Sequence, residues 1–228
     1  MKPEGLLLVD KPQGVTSYHV VEVVKRKSGI RKVGHGGTLD PFATGLLVVL
    51  VGRSCTKSQS EFMVGKKRYI ARLRLGIRTD TGDPTGRVIE QYSGPLPSRD
   101  RIVAALEGFL GEIWQRPHPY SAVKYKGKPL YYYTRRGIDV PISPRKVQVF
   151  SLTLKEVTGP VVDIDLTVSG GFYVRSFAED LGRKLDVPAM TEALRRVSIG
   201  KLHVDDAVTL ERLNSLTPQE LAGLLKGC

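Results

Sequence analysis

The sequence predicts an α+β fold with a central, largely antiparallel mixed sheet flanked by helices and loops. Strand-like and helix-like segments follow one another without a regular strand–helix–strand rhythm, which argues against a doubly wound parallel sheet. Two strand candidates, 69–76 and 161–168, alternate apolar and polar residues, as expected for a sheet with one face toward a core. At 228 residues the chain is long enough for one large domain or two small ones.

The strand candidates are short apolar or alternating runs: GLLLVD (5–10), LLVVLVG (46–52), YIARLRLG (69–76), RVIEQY (87–92) and VVDIDLTV (161–168). The helix candidates have helical spacing or a capping residue: 17–28, capped by Thr16 or Ser17 and ended by Gly29; Ser98 to about Leu110; SFAEDLGRKL (176–185); TEALRRV (191–197); and the final TPQELAGLLKG (217–227).

Composition narrows the class of protein. Lys and Arg number 35 against 23 Asp and Glu, a net charge of +12 that favours a polyanionic partner. No apolar run approaches the roughly 20 residues of a membrane span. The two cysteines, Cys55 and Cys228, lie far apart without metal-ligand spacing, so the sequence predicts neither a disulfide nor a zinc site and favours the reducing cytosol.

The stretch VGHGGTLDPFATGLLVVL (33–50) concentrates four glycines, one histidine and one aspartate before an apolar strand. Asp40 followed by Pro41 has the form of a helix start, since aspartate caps an exposed N–H and proline sacrifices no donor there. The glycines favour a second interpretation, because they let a backbone approach a ligand closely. From these residues alone, the structural role of Asp40 is favoured over catalysis.

The same stretch resembles the catalytic-loop motif GH-T-G-T-L-D-P-x-A-T-G of the TruB family of tRNA pseudouridine synthases. Five further segments resemble that family in the family's order: GLLLVDKPQGVTS (5–17), KRYIARLRLGIRTDTGDPTG (67–86), QRPHPYSAVKYKGKPLYYYTRRG (115–137), SGGFYVRSFAEDLG (169–182) and LRRVSIGKL (194–202). The resemblance covers residues 5 to about 205 and implies the pseudouridine synthase fold.

The resemblance implies isomerisation of uridine 55 in the T-loop of tRNA, without cofactor or metal. Asp40 matches the essential aspartate, either as a nucleophile toward the sugar or base or as a base that removes the C2′ proton. Arg175 matches the arginine that pairs with this aspartate, and its planar fork can hold one carboxylate in one orientation. Tyr69 matches the tyrosine that stacks under the target base, with proton transfer as a further implied role.

A second set of residues matches the family's substrate contacts. His35 corresponds to the histidine that shapes the T-loop, and its glycine neighbours favour exposure. Val168 and Leu194 match apolar walls of the base pocket, and Tyr173 precedes the matched arginine. Lys11 and Lys67 belong to a group of candidate phosphate contacts, which also includes basic residues interleaved with tyrosines between Lys124 and Arg136.

The chain departs from the family motifs at several positions. Gly36 stands where threonine is usual, which predicts a looser loop. His118 and Pro119 replace the usual proline and hydrophobic residue of the P-P-x-Y-S-A block, and Gly170 with Phe172 replace lysine and threonine before Tyr173. These departures bear on details of RNA contact rather than on the reaction.

The resemblance divides the chain into a catalytic domain, 1–205, and a short helical tail, 206–228, too short for the PUA-type RNA-binding domain common in the family. The expected protein is a cytoplasmic monomer that recognises the T-arm of tRNA through its catalytic domain. Two alternatives remain: a non-catalytic tRNA-folding chaperone, which would not need Asp40 and Arg175, and a guide-RNA-dependent synthase, which would need the accessory domain.

Overall fold

The computed structural model describes residues 3–228. Its strands, in chain order, are β1 (Gly5–Lys11), β2 (Val33–His35), β3 (Thr44–Val51), β4 (Lys67–Leu75), β5 (Ile77–Thr79), β6 (Val88–Gln91), β7 (Gly111–Gln115), β8 (Lys124–Tyr125), β9 (Lys128–Pro129), β10 (Arg145–Thr158), β11 (Val161–Val168), β12 (Ala189–Ile199), β13 (Leu202–His203) and β14 (Val208–Thr209). Its helices are α1 (Ser17–Ser28), α2 (Arg53–Lys57), α3 (Gln59–Val64), α4 (Arg99–Glu107), α5 (Leu130–Thr134), α6 (Val174–Leu185), α7 (Leu210–Ser215) and α8 (Pro218–Gly223), with a 3-10 turn at Val204–Asp206.

The chain forms two compact units, which are described separately. The first comprises the residues up to Tyr69 together with Arg195–Cys228, and the second comprises Ile70–Leu194. In the first, β1 pairs antiparallel with β3 and parallel with β14, while β12 pairs parallel with β3. In the second, β10 pairs antiparallel with both β11 and β7. The predicted α+β class with a mixed, largely antiparallel arrangement is confirmed.

Strands β1 and β3 of the first unit are buried on both faces, which explains their continuous apolar runs. Leu7 and Val9 of β1 face α1, whereas Leu6 and Leu8 face the opposite layer with Cys55 and Val204. Helix α1 is capped at its start by Thr16, whose side chain accepts from His19 N, and at its end by Gly29 with φ 65°. Helices α7 and α8 cover the same layer as α1; their shared apolar contacts with it are Leu213, Leu216 and Leu221.

The second unit follows the period-two pattern of its sequence. Alternate residues of β11 are buried from Val162 to Val168, and Phe177 of α6 packs edge-on against Phe109 with ring centroids 4.9 Å apart. Helix α4 begins at Ser98, as the sequence predicts, but ends at Glu107. Among the helices of residues 3–228, none is long and apolar enough to cross a membrane.

One predicted helix is wrong. TEALRRV (191–197) lies within strand β12, which runs from Ala189 to Ile199 and pairs with β3 at Arg195 and Arg196. Glu, Ala, Leu and Arg are good helix formers, but propensity is a weak prior that strand pairing and burial override. A half-buried strand is expected to alternate apolar and polar residues. In β12 the inward face carries Arg196, a charged residue that is buried, so the sequence does not show this alternation.

The prediction that the two cysteines form no disulfide is also wrong. The structure joins Cys55 of α2 to Cys228, which are 173 residues apart in the sequence, in a disulfide with Cα atoms 5.4 Å apart. That Cα separation is ordinary for a disulfide. Sequence spacing could not reveal the pair, because only folding of the last residues beside β1, where Lys226 bridges Leu6, brings Cys228 back to the first unit.

Gly45 should tolerate no side chain. It has φ 100° and stands opposite Arg196, where an added Cβ would lie 2.3 Å from the Arg196 carbonyl oxygen. We expect Gly45→Ala to lower the free energy of unfolding by at least about 3 kcal/mol, because a clash with sheet backbone adds to the backbone strain. Gly29→Ala is the control, since Gly29 also has positive φ but open space around it, and should cost about 1 kcal/mol. Urea unfolding measures both, and equal losses would contradict the steric argument.

Candidate active site

Asp40 lies in a tight turn and not at a helix start. Its carbonyl oxygen accepts from Ala43 N at 3.1 Å, and strand β3 begins at Thr44. The helix expected from Asp-Pro is therefore not formed, although proline does occupy the second position of the turn, where its fixed φ is favourable. Asp40 itself is half-buried.

Arg196 holds the backbone that leads into this turn. Its side chain is 1% exposed, and its guanidinium donates to three carbonyl oxygens: Nη2 to Gly37 at 3.0 Å, Nη1 to Thr38 at 3.3 Å and Nε to Leu46 at 2.8 Å. A buried cation is costly unless it is well bonded, and the planar guanidinium spreads its donors over several acceptors. Arg196 thus ties the segment before Asp40 to strand β3.

Lys11 holds the other side of the turn. It is fully buried, and its ammonium donates to the carbonyl oxygens of Val15 at 2.7 Å, Pro12 at 2.9 Å and Pro41 at 3.4 Å. The same Pro41 oxygen accepts from Gly14 N at 2.8 Å. Lys11 is a predicted phosphate contact, but the structure places its ammonium inside the protein, against backbone.

Ser17 completes the fixation. Its hydroxyl donates to the carbonyl oxygen of Leu39 and accepts from the N–H of the same residue, each at 2.9 Å. The residues immediately before and after Asp40 are therefore held by buried donors from β1, α1 and β12. The Asp40 carboxylate therefore extends from a backbone position that the surrounding residues fix.

The charge of Lys11 is sensitive to this environment. Burial lowers the pKa of Lys11 to about 8, an effect that the negative charge of Asp40 partly offsets and the positive charge of Arg196 reinforces. The attraction is mutual, so the ammonium favours the ionised form of the Asp40 carboxylate. At neutral pH Lys11 is still mostly charged.

This pKa predicts a dependence of stability on pH. Between about pH 8 and the unfolded-state value near 10.5, the folded protein has lost the Lys11 proton while the unfolded chain still binds it, so the free energy of unfolding rises with pH. The advantage of wild type over Lys11→Met should grow across this window by up to about 1.4 kcal/mol per pH unit. Denaturant titrations at several pH values test this, and parallel curves would contradict it.

Lys67 and His35 also lie near Arg196. Lys67 is 7% exposed and donates to the carbonyl oxygens of Met63 and Gly65 at 2.8 and 2.9 Å, so it too is no surface phosphate contact. Burial, with a smaller contribution from Arg196, lowers the pKa of Lys67 to about 8. His35 ends β2 and is half-buried rather than exposed; burial and then the charge of Arg196 lower its pKa, so its imidazole is neutral at neutral pH.

The structure gives a steric reason for glycine at position 36, where the family motif has threonine. Gly36 is buried against Phe62, and an added Cβ would lie 2.5 Å from the Cβ of that phenylalanine. The loop is therefore packed at this position, not loosened. The residue type at 36 and the phenylalanine at 62 are matched to one another.

A second cluster, in the other unit, surrounds Arg175. Arg175 is the second residue of α6 and is 4% exposed. Nη1 donates to Thr81 O at 2.8 Å and contacts His118 Nδ1 at 3.2 Å, and Nη2 donates to Tyr120 O at 2.9 Å. Asp83 Oδ2 lies 3.5 Å from Nη1 in a nearly buried ion pair.

Asp83 is itself held by its loop. Its Oδ1 accepts from Thr81 Oγ1 at 2.9 Å, Thr85 N at 2.9 Å and Thr85 Oγ1 at 2.5 Å. From the sequence, TDTGDPTG (79–86) is predicted only to be an acidic turn. In the structure, that loop supplies a buried carboxylate and a carbonyl oxygen to Arg175, which fixes the guanidinium from a direction outside its own helix.

Gln115 fixes the entry to α6. It ends β7, is 1% exposed, and exchanges two hydrogen bonds with the backbone of Tyr173: Tyr173 N donates to Oε1 at 2.7 Å, and Nε2 donates to Tyr173 O at 3.0 Å. Because Tyr173 caps α6 without a side-chain bond of its own to the helix, the glutamine sets the position of the first helical turn. Arg175 lies in that turn.

The remaining predicted residues are buried strand positions. Tyr69 is the third residue of β4 and is 7% exposed. Val168 ends β11 and is fully buried, while Leu194 lies in β12 and is 8% exposed. For these apolar residues, burial fits the pocket-wall role and a core role equally well.

The segment between Lys124 and Arg136 pairs cations with tyrosines, as its composition suggests. Arg136 lies 3.7 Å and Lys128 4.3 Å from the ring centroid of Tyr132, and Arg135 lies 5.5 Å from that of Tyr131. The hydrogen bond from Lys128, followed by the charge of Arg136, lowers the pKa of Tyr132. Aromatic and basic groups of this kind, of which Tyr131 is exposed and Tyr132 half-buried, can stack on bases and contact phosphates.

Sequence reasoning missed Arg196, Ser17, Asp83, Gln115 and His118 as parts of these clusters. All five lie inside segments that resemble the family. The sequence therefore located the segments but did not show what these side chains contact. A buried arginine or histidine cannot be told from an exposed one in a single sequence, because burial depends on neighbours that are distant along the chain.

Comparison with known proteins relates these clusters to a family. Residues 25–174 match the family described as TruB family pseudouridylate synthase (N terminal domain). The protein called tRNA pseudouridine synthase B from Desulfotalea psychrophila is 45% identical over 210 residues, covering 90% of this chain and 85% of the relative. The protein of the same name from Aquifex aeolicus is 43% identical over 221 residues, covering 95% of this chain and 76% of the relative.

A solved structure has the same fold. A chain in the crystal structure of a Cbf5-Nop10-Gar1 complex aligns with a TM-score of 0.72 and 27% identity over 98% of this chain, which spans 60% of the length of that solved chain. The family match includes the Asp40 turn and reaches the first residue of α6. With relatives above 40% identity along nearly its whole length, the chain belongs to the TruB family of pseudouridylate synthases.

Proposed function

We propose that this protein is a cytoplasmic, monomeric tRNA pseudouridine synthase that converts uridine 55 of the T-loop to pseudouridine. The observation that carries the proposal is the Asp40 turn, whose backbone is fixed by Arg196, Lys11 and Ser17. A non-catalytic RNA chaperone has no need for a half-buried carboxylate held in this way. Relatives called tRNA pseudouridine synthase B, 41–45% identical, support tRNA as the substrate class.

In the reaction the N1–C1′ bond breaks, the base turns and C5 bonds to C1′, while C5 loses a proton and N1 gains one. These steps make demands on the protein. The target base must first leave the T-loop stack, at a cost of a few kcal/mol. The pocket must then hold the detached base and stabilise charge without admitting water.

In the proposed mechanism Asp40 acts as an anion, either as nucleophile or as base for the C2′ proton. Both routes need its ionised form, which the nearby Lys11 ammonium favours. The ion pair between Asp40 and Arg175 implied by the family resemblance is part of this proposal, as are stacking of the base on Tyr69 and pocket walls from Val168 and Leu194. His35 and Tyr173 contact the RNA in the proposal.

Substrate recognition is proposed to rest on the exposed basic and aromatic groups between Lys124 and Arg136. The Lys11 and Lys67 ammonium groups, being bonded to backbone, contribute to the field and to loop geometry instead of contacting phosphates. Binding to the T-arm should therefore weaken steeply with salt.

The experiment is incubation of the purified protein with unmodified tRNA transcript, followed by chemical mapping of pseudouridine at single-nucleotide resolution. One modified T-loop position, uridine 55, is the expected result. A transcript with cytidine at position 55 is the control and should remain unmodified. Binding without modification would favour the chaperone, and modification elsewhere would refute the proposed specificity.

A further inference from the structure

His118 is a departure from the family motif that the structure places beside Arg175. It lies in the loop between β7 and β8, where the motif has proline, and only 2% of the residue is exposed. A histidine so thoroughly removed from solvent cannot be an RNA contact on the surface. Its two ring nitrogens must instead find partners inside the protein.

The contacts of the imidazole define its tautomer. Nδ1 accepts from Tyr120 N at 3.2 Å and lies 3.2 Å from Arg175 Nη1, which is always a donor. Two donors converge on Nδ1, so this nitrogen carries no proton and the ring proton resides on Nε2. Nε2 lies 3.7 Å from Glu179 Oε1, a carboxylate one helical turn after Arg175 on α6.

The ring has little freedom to turn away. An added Cβ on Gly82 would lie 2.9 Å from His118 Nε2, which shows how closely the backbone of the TDTGDPTG loop approaches it. Tyr120 stacks beside the ring with centroids 6.2 Å apart and supplies its own carbonyl oxygen to Arg175 Nη2. The charged groups that face this arrangement are Arg175 and Glu179 from α6, with Asp83 on the same Nη1 atom at 3.5 Å.

We propose that His118 is a positioning residue for Arg175, whose orientation it fixes through its unprotonated Nδ1. Protonation would put an N–H on Nδ1 facing two other donors and would add a positive charge beside the guanidinium. The inference rests on the proposed function of the protein, since it gives Arg175, which that function pairs with Asp40, a neighbour that fixes its orientation.

The kinetic test compares His118→Leu, which removes the acceptor, with His118→Asn, whose Oδ1 can replace Nδ1 as an acceptor and does not titrate. At pH 8 we expect His118→Leu to lower kcat about 10-fold with KM little changed, and His118→Asn to remain close to wild type. His19→Asn, which changes an exposed histidine on α1, is the control and should keep the wild-type kcat and KM.

A measurement on unmodified protein tests the inference independently of the variants and of activity. Nitrogen-15 NMR of the His118 ring should show an unprotonated Nδ1 and a protonated Nε2 at pH 8. A proton on Nδ1 at pH 8 would overturn the inference, as would equal kcat for His118→Leu and active wild type. Absence of pseudouridine formation by wild type would instead refute the proposed function and leave the NMR result to decide the geometry.

Discussion

Asp40→Asn should abolish pseudouridine formation while the protein remains folded and binds tRNA. The substitution removes the negative charge that both chemical routes require, and it preserves the shape of the side chain on its turn. Loss of an essential anionic group lowers turnover by at least about 10³-fold, so the variant should be inactive in single-turnover assays. Because Arg196, Lys11 and Ser17 hold backbone and not the carboxylate, their described bonds survive the change.

The measurement is chemical mapping of pseudouridine under single-turnover conditions, with tRNA affinity determined in parallel by filter binding. Asp205→Asn is the matched control, because Asp205 is highly exposed beyond β13 and plays no part in the Asp40 turn. Wild-type rates for Asp40→Asn would contradict the assignment. Loss of tRNA binding together with activity would point to a structural role of the carboxylate.

Arg196→Met should lower both the free energy of unfolding and kcat. The change leaves the carbonyl oxygens of Gly37, Thr38 and Leu46 without their buried donor, and we expect the free energy of unfolding to fall by about 3 kcal/mol or more. It also releases the segment before Asp40. Since a displacement of about 1 Å in a reacting group can cost 10²-fold, kcat should fall by roughly that factor even where the protein is fully folded.

Arg195→Met is the matched control for this prediction. Arg195 neighbours Arg196 on the same strand, but its side chain is 40% exposed and pairs with Asp10 at 2.7 Å. A partly exposed pair of this kind contributes about 1 kcal/mol or less, so the control should stay near wild type in both measurements. Urea unfolding and kcat at a temperature where all variants are folded provide the comparison, and equal behaviour of the two arginine variants would contradict the loop-fixing role.

Much of the fold could be predicted from the sequence because local patterns and tertiary burial agree over most of the chain. Thr16 and Gly29 delimit α1 as their residue types predict, since a hydroxyl cap and a left-handed glycine act through neighbouring backbone alone. The alternation of β4 from Lys67 to Leu75 likewise identifies its inward face. Such signals are local, so no knowledge of distant neighbours is needed.

The wrong predictions share a physical cause. The helix propensity of TEALRRV lost to pairing of β12 with β3, and the Cys55–Cys228 link depends on folding of the last residues back to β1. Both outcomes arise from contacts between residues far apart in the chain. The helix start expected at Asp40 failed for a related reason, because Ala43 leads directly into strand β3, where pairing takes over.

The sequence by itself determined the α+β class, the family resemblance and the segments that contain Asp40, Tyr69 and Arg175, because these depend on residue type and order. Only the tertiary structure decided which groups Lys11, Arg196 and His118 contact. A cation or an imidazole acquires its role from burial and from the acceptors around it, and those come from loops and strands that adjoin only in the folded chain. Hence Lys11 holds backbone instead of phosphate, and His118, a departure from the motif, lies against Arg175.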